Sequence, residues 1–166
     1  MQPAAYWIDK LNLHPHPEGG YFREFYKSEL LLKKNSITDS FHGDRAACTS
    51  IYFLLDEGNF SAFHKIASDE IWHFYAGEAL VIYELNTDGL LVSNLLGNNP
   101  EAGEKFQVVI PAGNWFASRL VNGNGYALVG CTVAPGFDFA DFEMANRNDL
   151  LVKYPQHKDL IISLTR

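Results

Sequence analysis

The sequence predicts an all-β protein with short helices at its periphery, and three observations lead to that prediction. Apolar segments of strand length, rich in β-branched and aromatic residues, recur along the chain. Clusters of Gly, Asn, Asp and Pro separate these segments, as turns do between strands. Aromatic residues make up 14% of the chain, which also contains 13 glycines. This composition favours a β-rich sandwich or barrel over a coiled coil or a disordered chain.

The predicted helices lie at the two ends of the chain. Residues 3–12 carry apolar side chains at helical spacing, and the Pro-rich turn that follows ends the helix. Residues 148–165 carry a similar pattern around Pro155, which predicts two short C-terminal helices. Residues 27–44 are polar and poorly periodic, so we predict a loop there.

The predicted strands occupy the middle of the chain, on both sides of a central hairpin at 58–77. They are residues 21–26, 46–55, 79–85, 90–96, 106–110, 115–121 and 126–133. Two turn sequences, 86–89 and 122–125, predict hairpins between the strands that flank them. The second turn therefore predicts that 115–121 pairs with 126–133.

Length and charge limit the classes of function. A chain of 166 residues is predicted to form one domain with one core. A formal net charge of −7 argues against nucleic-acid binding, which relies on clustered Lys and Arg. No apolar run of about 18 residues and no basic-then-apolar leader is present, so we expect no membrane span, no signal peptide and a cytoplasmic location. Cys48 and Cys131 lie in apolar segments and are predicted to be buried thiols without a catalytic role.

The stretch Gly58–Gly77 has the clearest chemical character. It places His64 on one predicted strand and Glu70 at the start of the next, with a short turn between them. An antiparallel hairpin would bring the imidazole and the carboxylate together, and we predict that they form the catalytic pair. His64 would then be the general base, and Glu70 would fix its tautomer.

The two-residue period of a strand predicts which neighbours of this pair face the interior. On the face of His64 are Phe60, Ala62 and Ile66, and on the opposite face are Ser61, Phe63 and Lys65. Trp72 and Phe74 share the face of Glu70, whereas His73 is predicted to point outward. The full set of predicted ligand-binding residues is Phe60, Trp72, Phe74, Phe116, Glu24 and Gln107.

A second histidine-containing stretch lies near the N-terminus. His14 and His16 are two residues apart, a spacing that suggests a metal-binding pair. The prolines between and after them favour a rigid, extended turn instead.

The spacing of Gly58, His64, Glu70 and Gly77 resembles the first motif of the cupin superfamily and matches four of its five defining positions. Ile66 stands where that motif has its second histidine.

The segment Pro111–Phe116 resembles the second cupin motif, with Phe116 at the position of the histidine. Two of the four metal ligands of the superfamily are therefore replaced by hydrocarbon. Five segments also resemble one uncharacterised cupin family, formerly a domain of unknown function: HPEGGYFRE, TSIYFLL, SAFHKIASDEIWHFYAG, PAGNWFAS and GCTVAPGFDFADFEMA.

The resemblance implies a double-stranded β-helix, the cupin jelly-roll barrel, similar to that of the dTDP-sugar 3,5-epimerases. It covers residues 1–166 as a single cupin domain, with the barrel at about 20–134 and the C-terminal helical segment at about 137–165. It also implies a homodimer that pairs through N-terminal strands, and aromatics on both faces of 21–26 agree with such pairing.

Three functions follow as alternatives. The first is a metal-independent isomerase or epimerase acting on a sugar or related carbonyl compound, with no cofactor. The second is a metal-dependent cupin that holds a divalent transition metal with His64, Glu70 and a third ligand such as His73 or a residue of the N-terminal segment. The third is a binding or sensor module without catalysis, whose aromatic barrel holds a small molecule.

Overall fold

The computed structural model describes residues 2–166. Its three α-helices are α1 (Ala4–Lys10), α2 (Arg147–Lys153) and α3 (Lys158–Ser163). The strands are β1 (His14–Pro15), β2 (Tyr21–Lys27), β3 (Leu31–Leu32), β4 (Arg45–Ala46), β5 (Thr49–Asp56), β6 (Phe60–Lys65), β7 (Asp69–Gly77), β8 (Leu80–Leu85), β9 (Leu91–Leu96), β10 (Gln107–Ile110), β11 (Trp115–Leu120), β12 (Tyr126–Ala134) and β13 (Glu143–Met144). The predicted terminal helices and the long strands are thus confirmed to within a few residues.

Two antiparallel sheets form the body of the protein. A six-stranded sheet has the order β1-β2-β5-β12-β7-β10, and a five-stranded sheet has the order β13-β6-β11-β8-β9. The main core lies between them, because its buried side chains come from both sheets. Phe53 and Trp72 enter it from the six-stranded sheet, and Ile82 and Phe116 enter it from the five-stranded sheet.

The helices cover the outer faces of the two sheets. On the five-stranded sheet, Phe63 and Trp115 pack against Leu150 of α2 and Ile161 of α3. On the six-stranded sheet, residues of α1 pack against Leu54 and Leu128. Among residues 2–166, no helix is long and apolar enough to cross a membrane.

The predicted pairing of two hairpins is wrong. β6 pairs with β11 and β13, whereas β7 pairs with β12 and β10, so the turn after Lys65 crosses from one sheet to the other. The turn at 122–125 also connects strands of opposite sheets, β11 and β12. A turn sequence specifies a reversal of the chain but not the partner of each strand, and here both sheets need an apolar face to cover the other. The predicted hairpin between β8 and β9 is confirmed.

The predicted faces of Phe60 and Ser61 in β6 are also wrong, whereas those of Phe63, Lys65 and Ile66 are confirmed. The register between β6 and β11 shifts between the pairs Phe116–His64 and Ser118–Ser61, which marks a bulge. The bulge turns Ser61 toward the interior together with His64, and it turns Phe60 outward, where it packs with Phe63 toward the C-terminal helices.

Candidate functional site

A cavity of about 220 Å³ lies at one end of the sandwich, between the two sheets. Its polar wall carries His16, Glu18, Thr49, His64, Glu70 and Cys131, with Glu24, Lys27 and Asp138. Its apolar wall consists of Phe22, Ile51, Phe53, Ile66, Val133, Phe137, Phe139 and Phe142. Glu24 and Lys27 are exposed on β2 and form part of the mouth.

Glu18 is the residue to which the polar side chains of the deep wall connect. Its side chain is 7% exposed, and one oxygen accepts a hydrogen bond of 2.9 Å from the Ser61 hydroxyl. The other oxygen lies 3.1 Å from Nε2 of His64 and 3.4 Å from Nδ1 of His16. Burial raises the pKa of the Glu18 carboxyl, and the His16 charge and the Ser61 hydrogen bond oppose that rise.

The turn that carries Glu18 depends on the two glycines that follow it. Gly19 has φ +114° and Gly20 has φ +69°, values that favour glycine. A Cβ on Gly19 would overlap the carbonyl oxygen of Phe60. The Glu18 carbonyl in turn accepts a hydrogen bond of 2.8 Å from the Ala62 amide, so the turn is attached directly to β6.

Both ring nitrogens of His64 have partners. Nδ1 lies 2.7 Å from the Ala62 carbonyl, which can only accept, so Nδ1 donates its hydrogen there. A neutral His64 then presents a lone pair on Nε2 to the Glu18 carboxyl, and the contact requires one proton between the two groups. Burial lowers the pKa of His64, and the Glu70 charge and the bond to Ala62 oppose this. The ring also packs on Phe116, with 4.1 Å between ring centroids.

Glu70 faces this pair from the six-stranded sheet. It is 7% exposed, and burial raises its pKa to about 7, with the nearby Glu18 adding to the rise and His64 opposing it. The Cys131 thiol lies beside it as a hydrogen-bond donor, and burial raises the pKa of that thiol well above its usual value. Within residues 2–166, Glu70 forms no ion pair with His64, whose carboxylate partner is Glu18. The two residues do not face each other within one hairpin, because their strands belong to different sheets, and they interact through their charges in the shared cavity.

The structure brings only part of the predicted ligand-binding set to the cavity. Glu24 lines it, and Phe116 lies behind His64. Trp72 is buried in the main core, and Phe74 packs against that core. Phe60 packs under the guanidinium of Arg166 on the outer side of β6, and Gln107 is exposed on the edge strand β10.

His73 lies outside the cavity, as the strand period predicts. Its Nε2 is 3.1 Å from the Thr132 hydroxyl on the outer face of the six-stranded sheet, and partial burial lowers its pKa. It therefore does not share a site with His64 and Glu70.

Three aromatic residues of the segment 137–142 cover one side of the cavity. Phe137, Phe139 and Phe142 contact each other edge to face, with centroid distances from 5.0 to 6.1 Å. The same segment carries Asp141, whose carboxylate accepts hydrogen bonds from the guanidinium of Arg45, one of them 2.7 Å long. This ion pair is buried, with both side chains 5% exposed, and it attaches the cover to β4.

Burial would raise the pKa of Asp141, but hydrogen bonds from Arg45 and His42 outweigh that effect and lower the pKa to about 2. Asp141 is therefore ionised throughout the physiological pH range, and its ion pair with Arg45 is retained over that range.

The residues present do not fit the metal of the superfamily. Ile66 lines the cavity and Phe116 is buried beside His64, so hydrocarbon occupies both substituted ligand positions. Both His64 nitrogens are engaged in contacts, and no group of three His, Cys, Asp or Glu side chains in residues 2–166 is arranged to hold a metal ion.

Sequence reasoning missed His16, Glu18 and Cys131 as members of the site. The signal for Glu18 was the pair of glycines after it, which mark a backbone that approaches another strand closely. The sequence predicts a structured turn at His16, and the structure shows that this turn itself enters the site. Cys131 is a free, buried thiol as predicted, and Cys48 is free and half-buried.

Comparisons with known proteins agree on one family. The sequence profile described as Cupin superfamily (DUF985) matches residues 5–145. An X-ray crystal structure of a protein from Shewanella oneidensis is 42% identical, with a TM-score of 0.91, and the match covers 100% of this chain and 99% of that one. A hypothetical protein from Leishmania major is 34% identical, with a TM-score of 0.89 and 99% coverage of both chains.

More distant similarity supports the fold alone. Oxalate decarboxylase from Bacillus subtilis is 14% identical with a TM-score of 0.56, and the match spans 93% of this chain but 37% of that enzyme. No curated protein sequence matched the chain. The two-sheet jelly roll and the profile match over most of its length show that the chain belongs to the Cupin superfamily (DUF985) family.

Proposed function

We propose that this cupin is a metal-independent enzyme of isomerase or epimerase type that transfers protons on a small carbonyl compound. The observation that carries this proposal is that Glu70, from the six-stranded sheet, and the Glu18–His64 pair, whose histidine comes from the five-stranded sheet, line the same largely apolar cavity. Two acid–base groups that line one cavity are what enolisation requires: one removes a proton from carbon, and the other protonates the carbonyl oxygen.

Glu70 is the better candidate for the base. Its neighbour in the site is a thiol, which leaves carboxylate oxygens free to face a substrate. The pKa of about 7 means that both protonation states are populated near neutral pH, the condition under which a general base is most effective. His64, the base predicted from the sequence, has both nitrogens occupied by Ala62 and Glu18.

The proton shared by Glu18 and His64 supplies the acid. In the proposed reaction, Glu70 takes the proton from the carbon beside the carbonyl, and the Glu18–His64 pair gives its proton to the carbonyl oxygen, which forms an enol. In an isomerisation, Glu70 then gives its proton to the former carbonyl carbon, and the Glu18–His64 pair takes a proton from the hydroxyl on the carbon that was deprotonated, which becomes the new carbonyl. In an epimerisation, the enol presents its other face to Glu70 before Glu70 returns the proton to carbon and the pair recovers its proton from the enol oxygen. The protein and the substrate regain their original proton count.

The alternative is a binding module without turnover, and the occupied nitrogens of His64 favour it. Exchange of carbon-bound hydrogen with solvent separates the two. The purified protein is incubated in D₂O with a panel of small ketones, aldoses and α-amino ketones, and deuterium incorporation is followed by NMR. We expect incorporation beside the carbonyl of at least one compound.

Glu70→Gln should abolish this incorporation, because an amide does not accept the proton. Glu84→Gln is the matched control, since Glu84 is also a buried carboxylate but accepts its 2.7 Å hydrogen bond from Asn114 outside the cavity. Incorporation that survives in Glu70→Gln, or no incorporation with any compound that binds, would contradict the proposal.

We also propose that two copies of the chain associate through the outer face of the six-stranded sheet. Phe25, Tyr52 and Tyr75 form a row on this face, with ring centroids 5.4 and 6.1 Å apart. Phe25 is 65% exposed and Tyr75 is 51% exposed. An exposed aromatic row of this kind is typical of a protein–protein interface.

A further inference from the structure

The residues that line the cavity indicate which ligands can bind there, as well as which reaction can occur. This inference rests on the same cavity as the proposed function, but it concerns the charge and size of the compound that enters. Three properties of the cavity bear on it, namely its volume, the balance of its charges and the composition of its cover.

The volume excludes large ligands. At about 220 Å³ the cavity lies below the range of about 300–1,000 Å³ typical of sites for drug-sized molecules. A sugar nucleotide, the substrate of the epimerases that the sequence resembles, would leave its nucleotide outside the enclosed space.

The charges disfavour anions. Glu24 and Asp138 outnumber Lys27, which is the only lysine or arginine among the described residues that line the cavity. A phosphate group that entered would lose its hydration next to carboxylates, without the cluster of arginines or helix N-terminal amides that phosphate sites use.

The aromatic cover favours cations. The rings of Phe137, Phe139 and Phe142 line the cavity with the ring of His16, which lies 6.0 Å from Phe139. The face of an aromatic ring carries negative potential, and rings in edge-to-face contact keep ring faces available to an ammonium group. Carboxylates beside such rings discriminate further, because they attract a cation and not a neutral molecule of the same shape.

We propose that the cavity selects small compounds that carry an ammonium group, and that it rejects phosphorylated or nucleotide-linked ones. Within the proposed function, the substrate class is therefore a small aminated carbonyl compound. The inference departs from the sugar nucleotides to which the sequence resemblance pointed.

The test uses probes of matched shape. Choline and 3,3-dimethylbutan-1-ol differ in a single atom, a charged nitrogen in one and a neutral carbon in the other, so their relative affinity isolates the charge. Binding to the full-length protein is measured by isothermal titration calorimetry, with inorganic phosphate and thymidine diphosphate as anionic probes. We expect choline to bind at least about fivefold more tightly than its neutral isostere, and we expect no binding of either anion.

Substitutions of charged residues at the mouth test whether choline binds in this cavity. Glu24→Gln should weaken choline binding about two- to fivefold, and Lys27→Gln should strengthen it by a similar factor, while the affinity of the neutral isostere stays constant. Both residues are exposed, so neither change should affect folding. Glu101→Gln, an exposed carboxylate that does not line the cavity, is the control and should change nothing.

Equal affinity for choline and its isostere, failure of choline to bind, or binding of either anion would overturn the inference. None of these results depends on turnover. Choline has no carbonyl group, so ammonium selectivity is measured independently of deuterium incorporation, and each proposal fails by its own experiment.

Discussion

The carboxylate of Glu18 lies 3.1 Å from Nε2 of His64, and this contact connects an N-terminal turn to a central strand of the opposite sheet. Because Nδ1 of the same ring donates to the Ala62 carbonyl, the contact holds one proton that the two side chains share. The unit that titrates is therefore the pair and not either residue alone.

Replacing Glu18 should change the titration of His64. In Glu18→Gln the amide neither stabilises an imidazolium nor shares the proton, so we expect the pKa of His64 to fall further below its ordinary value. Nitrogen-detected NMR of the imidazole across a pH series measures this. Glu143→Gln is the control: it removes a surface ion pair with Lys65 and should leave His64 unchanged. An unaltered His64 titration in Glu18→Gln would show that the pair does not share a proton.

Glu70 should make the protein less stable as the pH rises. Its pKa is about 7 in the folded protein and that of an ordinary glutamate, 4.5, in the unfolded chain. Below pH 4.5 both states hold the proton, and between the two values the folded protein retains a proton that the unfolded chain has lost. The stabilisation is thus complete at low pH and is lost as the pH rises through this window.

Glu70→Gln removes that dependence. We expect the variant to gain stability over the wild type between about pH 5 and 8, with a limit on the order of 3 kcal/mol. Urea denaturation at several pH values measures the difference. If the difference does not change with pH, Glu70 does not have a raised pKa.

The turn after Glu18 should not tolerate a side chain. Gly19→Ala requires a left-handed backbone for alanine and places a Cβ against the Phe60 carbonyl, so we expect a loss of more than about 2 kcal/mol. Gly58→Ala is the matched control, because Gly58 has φ +79° but no atom within 4 Å of the added Cβ. It should cost about 1 kcal/mol. Equal losses in thermal or chemical denaturation would mean that the close approach of the Glu18 turn to β6 is unimportant.

The Arg45–Asp141 ion pair should hold the aromatic segment 137–142 in place over the cavity. Arg45→Gln leaves the Asp141 carboxylate buried without its main partner, which typically costs about 3–5 kcal/mol. We expect amide hydrogen exchange to accelerate in residues 137–142. Lys33→Gln, which removes an exposed ion pair with Asp44, is the control and should leave that segment protected. Unchanged exchange in Arg45→Gln would place the attachment of the cover elsewhere.

The protein should sediment as a homodimer at micromolar concentration. Phe25→Arg introduces a charge into the aromatic row on the outer face of the six-stranded sheet, and we expect it to yield a folded monomer. Val152→Arg is the control, since Val152 is 84% exposed on α2, away from that face. A wild-type monomer, or a Phe25→Arg variant that remains dimeric, would contradict the proposed interface.

Local features of the fold were predictable from the sequence, and pairings between distant segments were not. The helix at the N-terminus and the strand from Leu80 to Leu85 follow from periodicity and turn residues, which act over a few positions. The bulge in β6 reversed the expected faces of Phe60 and Ser61, because one inserted residue inverts a two-residue period.

The candidate site was predicted in part for the same reason. His64 and Glu70 are visible in the cupin motif, but the sheet to which each belongs depends on strand pairing. Glu18 reaches His64 through a turn far away in the sequence, and neither spacing nor composition specifies that contact.

His64 and Glu70 belong to different sheets, so the distance between their side chains depends on how closely the two sheets pack. Side chains such as Trp72 and Phe116, whose rings meet edge to face in the core at 6.4 Å, act as spacers that set this distance. A change in the volume of these core side chains would move the two sheets, and with them His64 and Glu70, relative to each other. No group that lines the cavity would be altered. We therefore expect relatives that share every polar residue of the site, but differ in the size of these core residues, to hold the two groups at different distances.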